Sequence, residues 1–301
     1  MSVAFVVFAA LALDAWLGEP RRWHPLVGFG RLAQWLEQRL YADAVVRGAL
    51  VLGLLLVPFV MLAFLLESLP MSVLPELLLL YLAVGGRSLA QHAGRVRAAL
   101  QRDDLPAARQ QLSRMVSRDP RELDAGAVAG ATVESVLENG NDAVFGAIFW
   151  YVVAGAPGLV LYRLSNTLDA MWGYRDARYA RFGRAAARLD DLLNLVPARL
   201  TALSYALLGN VPAGLRCWRA QGAAWKSPNA GPVMAAGAGS LGVLLGGSAC
   251  YGGRVQVRPR LGAGRAPQAA DIDQALRLVR RSMALWLGLL FMGGICVDYF
   301  R

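Results

Sequence analysis

The chain has 301 residues, 56% of them hydrophobic and only 17% charged, with a formal net charge of +10 at neutral pH. Soluble domains carry roughly a quarter charged residues, so this composition argues against an ordinary soluble domain and for a membrane protein. Two histidines and three cysteines without close spacing argue against a histidine-rich metal centre, a zinc site or a disulfide framework, which leaves a hard, oxygen-ligated ion as the metal to expect.

In chain order, the apolar runs predict spans near 1–17, 48–66, 72–90 and 284–300, each close to the ~20 residues needed to cross a bilayer. The first run lacks a basic leader and an A-x-A site, so it is expected to be a retained span rather than a signal peptide. Runs at 143–162, 196–215 and 232–250 stay open between span and re-entrant segment. Pro157 and three glycines suggest a broken or re-entrant helix over Ala143–Tyr162, tolerated where the backbone lines a protein cavity. The basic charge is almost wholly arginine, Lys226 being the sole lysine. The positive-inside rule accounts for it without nucleic acid: 21–47 and 87–142 inside, the N-terminus, the Glu67–Met71 turn and the C-terminus outside. No stretch sustains period-two alternation, so the expected fold is all-α, a polytopic integral membrane helical bundle with cytoplasmic amphipathic helices and re-entrant segments, in a single domain over 1–301.

The polar residues concentrate between Ala131 and Leu200. Polar groups near a bilayer are expensive to keep, so a cluster of them is a functional-site hypothesis. Asp104–Arg121 predicts a short amphipathic helix ending before Pro120. Thr132–Asn139 predicts a helix that stacks Glu134 and Glu138 on one face, with Asn139-Gly140 as a break. Like charges at i,i+4 disfavour a helix unless a cation offsets them; Mg²⁺ would do so, with Asp142 nearby, and a solvated face paired with arginines is the plainer alternative. Asn166 and Asp169 fit either a cap and polar surface or a substrate-positioning pair with a base. Asp176–Asn194 predicts a helix ending near Leu195, before Pro197. Asp190, Asp191 and Asn194 form a D-D-x-x-N unit that suits Mg²⁺ and phosphate, or simply a polar helix end. Lys226, Ser227 and Asn229 begin a Ser-Pro-Asn-Ala-Gly turn with anion-binding potential. The following G-x-G-x-x-G match, Gly237 to Gly242, follows no strand and fits close packing of small residues better than a dinucleotide site. Arg254–Ala270 is expected to be a loop.

Together these pieces resemble the adenosylcobinamide-phosphate synthase family of cobalamin biosynthesis. The matching segments are LDAWLGEPRRWHPLVGFGRL, LSRMVSRDP, ATVESVLENGNDAV, GAPGLVLYRLSNTLDAMWGYRDARYARFGRAAARLDDLLNLVPARLTAL, and SPNAGPVMAAGAGSLGVLLGG followed by YGG. They extend from Leu13 to Gly253, and their order and joint presence carry the resemblance; Lys226 stands where the family commonly has His. The resemblance implies an ATP- and Mg²⁺-dependent ligase joining adenosylcobyric acid, a corrinoid, to (R)-1-amino-2-propanol phosphate or ethanolamine phosphate. It implies catalytic and metal duty for Glu134, Glu138, Asp142, Asp190 and Asp191, with Asp169 also catalytic. Arg114, Arg118, Arg184, Arg199, Lys226 and Ser227 would hold phosphates, and Asn139, Asn166, Asn194 and Asn229 substrate amides. The implied setting is a bacterial inner membrane with the site facing the cytoplasm, contact with lipid, and association with other membrane enzymes of cobalamin assembly or with a second copy.

Two other readings stand beside this one. A membrane prenyl- or alcohol-phosphate transferase would use Asp190-Asp191, but needs a second aspartate-rich motif that the chain lacks. A non-enzymatic inner-membrane regulator sharing the scaffold would find the polar motifs dispensable.

Overall fold

The computed structural model describes residues 3–20, 24–174, 176–251 and 254–299. Arg21, Arg22, Trp23, Arg175, Gly252 and Gly253 of the matching segments lie outside the described residues, as do the extreme ends of the first and last expected spans.

In chain order the helices are α1 (Val3–Leu17), α2 (Pro25–Leu40), α3 (Val45–Glu67), α4 (Val73–Ala83), α5 (Gly86–Leu100), α6 (Leu105–Leu112) and α7 (Ala125–Gly140). They continue as α8 (Gly146–Trp172), α9 (Tyr179–Phe182), α10 (Arg184–Leu193), α11 (Leu195–Leu208), α12 (Val211–Gln221), α13 (Ala230–Leu241) and α14 (Ala269–Tyr299). A π-helical turn, Asn141–Phe145, joins α7 to α8. Strands β1 (Leu244–Tyr251) and β2 (Arg254–Gly262) form an antiparallel hairpin before α14. The chain is a multi-helix bundle of the polytopic membrane type. Three stretches, Val45–Glu67, Val73–Leu100 and Ala125–Trp172, are long and apolar enough to cross a membrane.

The contacts divide the chain into two compact units. The first comprises 1–85, 142–194 and 290–301. Its centre is an apolar cluster that includes Phe29, Leu55, Leu168, Trp172 and Phe182. On α3, Val51, Leu55 and Ala63 are buried while Leu50, Leu54, Val57 and Met61 stay exposed, which suits a helix with protein on one side and lipid on the other. Helix α8 is broken at Ala154 and Gly155, where Gly155 has φ +59° and ψ −154°. That region is essentially reserved for glycine, and Pro157 removes a further backbone donor, so the expected break is present.

The second unit comprises 86–141 and 195–289. Side-chain caps set its helix starts: Asp104 accepts from the Ala107 N–H at 3.0 Å, Asp124 from Ala127 at 2.7 Å, and Asn210 from Ala213 at 3.1 Å. Helix α13 is packed through small residues, as expected. A Cβ on Gly237 would meet Leu137, and one on Gly239 would lie 2.7 Å from the Ala213 carbonyl.

Four local expectations are corrected. Arg254–Ala270 is not all loop: β2 pairs with β1 through a bulge between Leu245 and Gly247, so the all-α bundle carries one hairpin. The alternation Arg-Val-Gln-Val-Arg marks β2, but it is short and its inward face is polar, which hides it from a search for apolar periodicity. The helix after Asp104 ends at Leu112 rather than before Pro120, because the chain turns to bring Arg118 into the interior. Asn139-Gly140 ends the α-helical part of α7 but does not break the helix, which widens into the π turn. Asp176–Asn194 is two helices separated at Gly183, which lies so close to the Trp172 carbonyl that a Cβ there would sit 1.8 Å from it.

Candidate active site

In the second unit, α7 places Glu134, Ser135, Glu138 and Asn139 along one wall of a cavity of about 230 Å³. Ser117, Arg118, Trp225 and Arg258 also line it. The organising group is Glu134, only 6% exposed. Its Oε2 accepts from Arg118 Nη2 at 2.6 Å and from Arg258 Nη1 at 2.9 Å. Its Oε1 accepts from the Gly246 N–H at 2.8 Å and from Arg258 Nη2 at 3.3 Å. Four N–H groups therefore converge on one carboxylate, the full acceptor capacity of that group.

Two guanidiniums around one carboxylate leave this trio with a net positive charge in a largely buried setting. Arg258 also lies over the Trp225 ring at 5.2 Å and donates Nε to the Gly247 carbonyl at 3.2 Å, so both its plane and its tip are held. Asn139 donates to the Ser135 carbonyl and hydroxyl at 2.9 and 3.1 Å, and Ser135 in turn donates to the Met115 carbonyl. Glu138 is half-buried on the same wall. The arrangement suits an anion presented to fixed arginines, the forked geometry that matches phosphate.

Other expected phosphate and amide groups of this unit form smaller sets. Arg199 donates to Asn229 Oδ1 and to the Leu195 carbonyl. Ser227 Oγ accepts from the Asn229 and Ala230 N–H groups, both at 3.2 Å, so the first amides of the turn are bound within it. Lys226 is exposed and donates to Gln256 Oε1 on β2 at 2.8 Å. Arg114 is exposed and does not line the cavity.

In the first unit, a second polar set forms around Asp190. Asn194, one turn later, donates to both carboxylate oxygens at 3.2 Å, and Asn166 on α8 donates to Oδ1 at 3.2 Å. Arg163 donates to Asn166 Oδ1, and the Tyr162 hydroxyl donates towards Asn194 Oδ1 and the Asp142 carbonyl. Burial pushes the Asp190 carboxyl up to about 6; Asp191 adds to the rise, while the Asn166 and Asn194 amides and Arg163 oppose it. Asp169 sits beside Gly173 near the end of α8, and Arg184 is exposed at the start of α10.

The structure thus joins Arg118 with Glu134, Glu138 and Asn139, and separately joins Asn166 with Asp190 and Asn194. Sequence reasoning missed Arg258, Trp225, Tyr162 and Arg163. For Arg258 the available signal was the polar alternation of β2; Tyr162 and Arg163 sit in a matching segment without marking themselves out there, and Trp225 lies just before one. No group of three or more His, Cys, Asp or Glu side chains is disposed to hold a metal ion among the described residues. A site with one or two protein carboxylates still fits Mg²⁺ when phosphate supplies the remaining oxygens. Glu138 lines the cavity beside Glu134, whose oxygens are taken up by N–H donors.

The family model described as CobD/Cbib protein matches residues 7–279. A cobalamin biosynthesis protein CobD from Stutzerimonas stutzeri is 59% identical over 300 residues, covering 98% of this chain and 99% of the relative. One from Chromobacterium violaceum is 56% identical, covering 99% and 98%, and one from Mycobacterium tuberculosis is 43% identical, covering 91% and 90%. No solved structure matches the chain.

Proposed function

The chain belongs to the CobD/Cbib protein family, and on that premise we propose that it is the amide ligase of cobalamin biosynthesis that makes adenosylcobinamide phosphate. It joins the free propionate carboxyl of adenosylcobyric acid to the amine of (R)-1-amino-2-propanol phosphate or ethanolamine phosphate. The observation that carries the reading within this chain is the pair Arg118 and Arg258, fixed by Glu134 on the wall of a cavity that also holds Glu138 and Asn139.

A carboxylate is a poor acyl donor. In the proposed sequence its oxygen attacks the γ-phosphorus of ATP, the bond to ADP breaks, and an acyl phosphate forms. The amine, having given up a proton, then attacks the acyl carbon, and phosphate leaves with the bonding electrons. Both steps move negative charge on phosphoryl oxygens, so donors fixed in advance are the main catalytic resource. Arg118 and Arg258 fill that role, and Glu134 positions them. Glu138 is the carboxylate assigned to hold Mg²⁺, which when bound would offset polyphosphate charge. Asn139 would orient a substrate amide or a phosphate oxygen. The Asp190, Asn166 and Asn194 set, with Asp191 next in sequence and the Asp142 carbonyl bound to Tyr162, offers amide and carboxyl groups of the kind that an amide-rimmed corrinoid needs, and a carboxyl able to exchange protons near neutral pH.

The apolar stretches and the cytoplasmic source of ATP support an inner-membrane protein with its site on the cytoplasmic side. The reading is tested by incubating detergent-purified protein with adenosylcobyric acid, each amino-alcohol phosphate, ATP and Mg²⁺, and measuring the amide by mass spectrometry. Product that requires both ATP and an amine is expected. Folded protein that yields none with either amine would overturn the reading.

A further inference from the structure

We propose that the second unit carries a separate phosphate-binding site between the ends of α11 and α13 and the start of the apolar part of α14. A cavity of about 300 Å³ opens there, and it shares no lining residue with the cavity of Arg118 and Arg258. Three observations carry the assignment.

The first is charge. Gln274, Arg277 and Arg281 lie on one face of α14, at i, i+3 and i+7, and no acidic side chain lines the cavity. Neither arginine is engaged in an ion pair among the described residues.

The second is an unsatisfied hydroxyl. Ser240 Oγ lies buried at the cavity wall without a hydrogen-bond partner, while the Ser240 carbonyl accepts from the Asn210 N–H. Buried hydroxyls are nearly always paired, so an unsatisfied one on a residue of this cation-lined cavity singles Ser240 out. Gly209 and Gly214 lie so close to Ser240 that a Cβ on either would clash with its side chain.

The third is position along the helix. Arg281 is followed by the apolar run Ser282–Gly294, where Leu289, Phe291 and Met292 are exposed. Arginines at the edge of an apolar exposed helix sit where lipid phosphates lie. The ligand is therefore a phosphate group, carried either by an anionic lipid or by a soluble phosphate. This site does not depend on the ligase reading.

The test uses full-length protein, with Arg277→Gln/Arg281→Gln and Ser240→Ala variants whose folding is checked by thermal melting. In one arm each is reconstituted in nanodiscs of equimolar phosphatidylglycerol and phosphatidylcholine, and retained lipid is read by native mass spectrometry. In the other, inorganic phosphate is titrated into delipidated protein and followed by phosphorus NMR. A lipid site predicts preferential retention of phosphatidylglycerol, falling about fivefold for each arginine removed. A soluble-phosphate site predicts saturable phosphate binding that both variants weaken, with no lipid preference. In either case Ser240→Ala weakens binding with the charge intact, which diffuse surface attraction would not produce. Wild-type protein that discriminates in neither arm, or variants that bind like wild type, would overturn the proposal.

Discussion

Glu134 and Arg258 are 124 residues apart in the chain, yet they meet through two hydrogen bonds, Nη1 to Oε2 at 2.9 Å and Nη2 to Oε1 at 3.3 Å. Both side chains are under a tenth exposed. This contact ties the hairpin to α7 and turns the guanidinium towards the cavity. It makes Arg258 the residue whose replacement is most informative.

Arg258→Lys keeps the charge but loses the fork, the stacking on Trp225 and one of the two bonds to Glu134. Arg258→Ala removes the cation altogether. Loss of one fixed donor to a developing oxyanion lowers turnover by about 10²–10³. The alanine variant is expected in that range and the lysine variant in between, read as kcat/KM for ATP by amide formation. Near-wild-type rates in both would remove Arg258 from the phosphate site.

Glu134→Gln leaves Arg118 and Arg258 facing each other in a buried setting without the intervening negative charge. Breaking a buried ion pair by removing one partner costs about 3–5 kcal/mol. A marked fall in melting midpoint is expected, together with lost activity. A variant that melts like wild type but needs far more Mg²⁺ would instead make Glu134 the metal ligand.

Glu138→Gln separates those two duties. Glu138 lines the cavity one helical turn after Glu134. The expected outcome is a smaller fall in melting midpoint than Glu134→Gln gives, with a Mg²⁺ requirement raised about tenfold or more. Saturation at wild-type Mg²⁺ would assign the metal elsewhere.

Asp190 predicts a pH dependence with a definite sign. Its carboxyl is raised to about 6 in the fold, against about 3.9 in an unfolded chain. Between these values the folded state binds more protons, so this group's contribution to stability is full below about pH 4 and is lost as pH rises through about 6. The change is on the order of 2–3 kcal/mol. Melting midpoints of wild type and Asp190→Asn are expected to diverge as pH rises from about 4 to about 7, with wild type falling relative to the variant. Parallel profiles would show that Asp190 keeps an ordinary carboxyl.

Much of the chain was legible locally. Gly155 and Pro157 announce the break in α8, because glycine permits the required dihedral angles and proline withholds a donor. Asp190 and Asn194 meet because four residues make about one helical turn. The small residues from Gly237 to Gly242 imply close helix packing, and Gly237 and Gly239 achieve it. Other features depend on partners far along the chain. The inward face of β2 carries Gln256 and Arg258, which look like solvent-facing residues until Lys226 and Glu134 are placed opposite them. Likewise, Asn166 is an ordinary polar residue of α8 until Asp190 packs against it.

By itself, then, the sequence determined the membrane-type composition, the apolar stretches, the helical spacing of the carboxylates and the family, since these depend on composition, short-range geometry and motif order. Only the tertiary structure decided that Glu134 is surrounded by N–H donors while Glu138 lines the cavity beside it, and that Asn166 joins Asp190 and Asn194. Desolvation, and the convergence of hydrogen-bond donors from distant segments, exist only once the chain has packed.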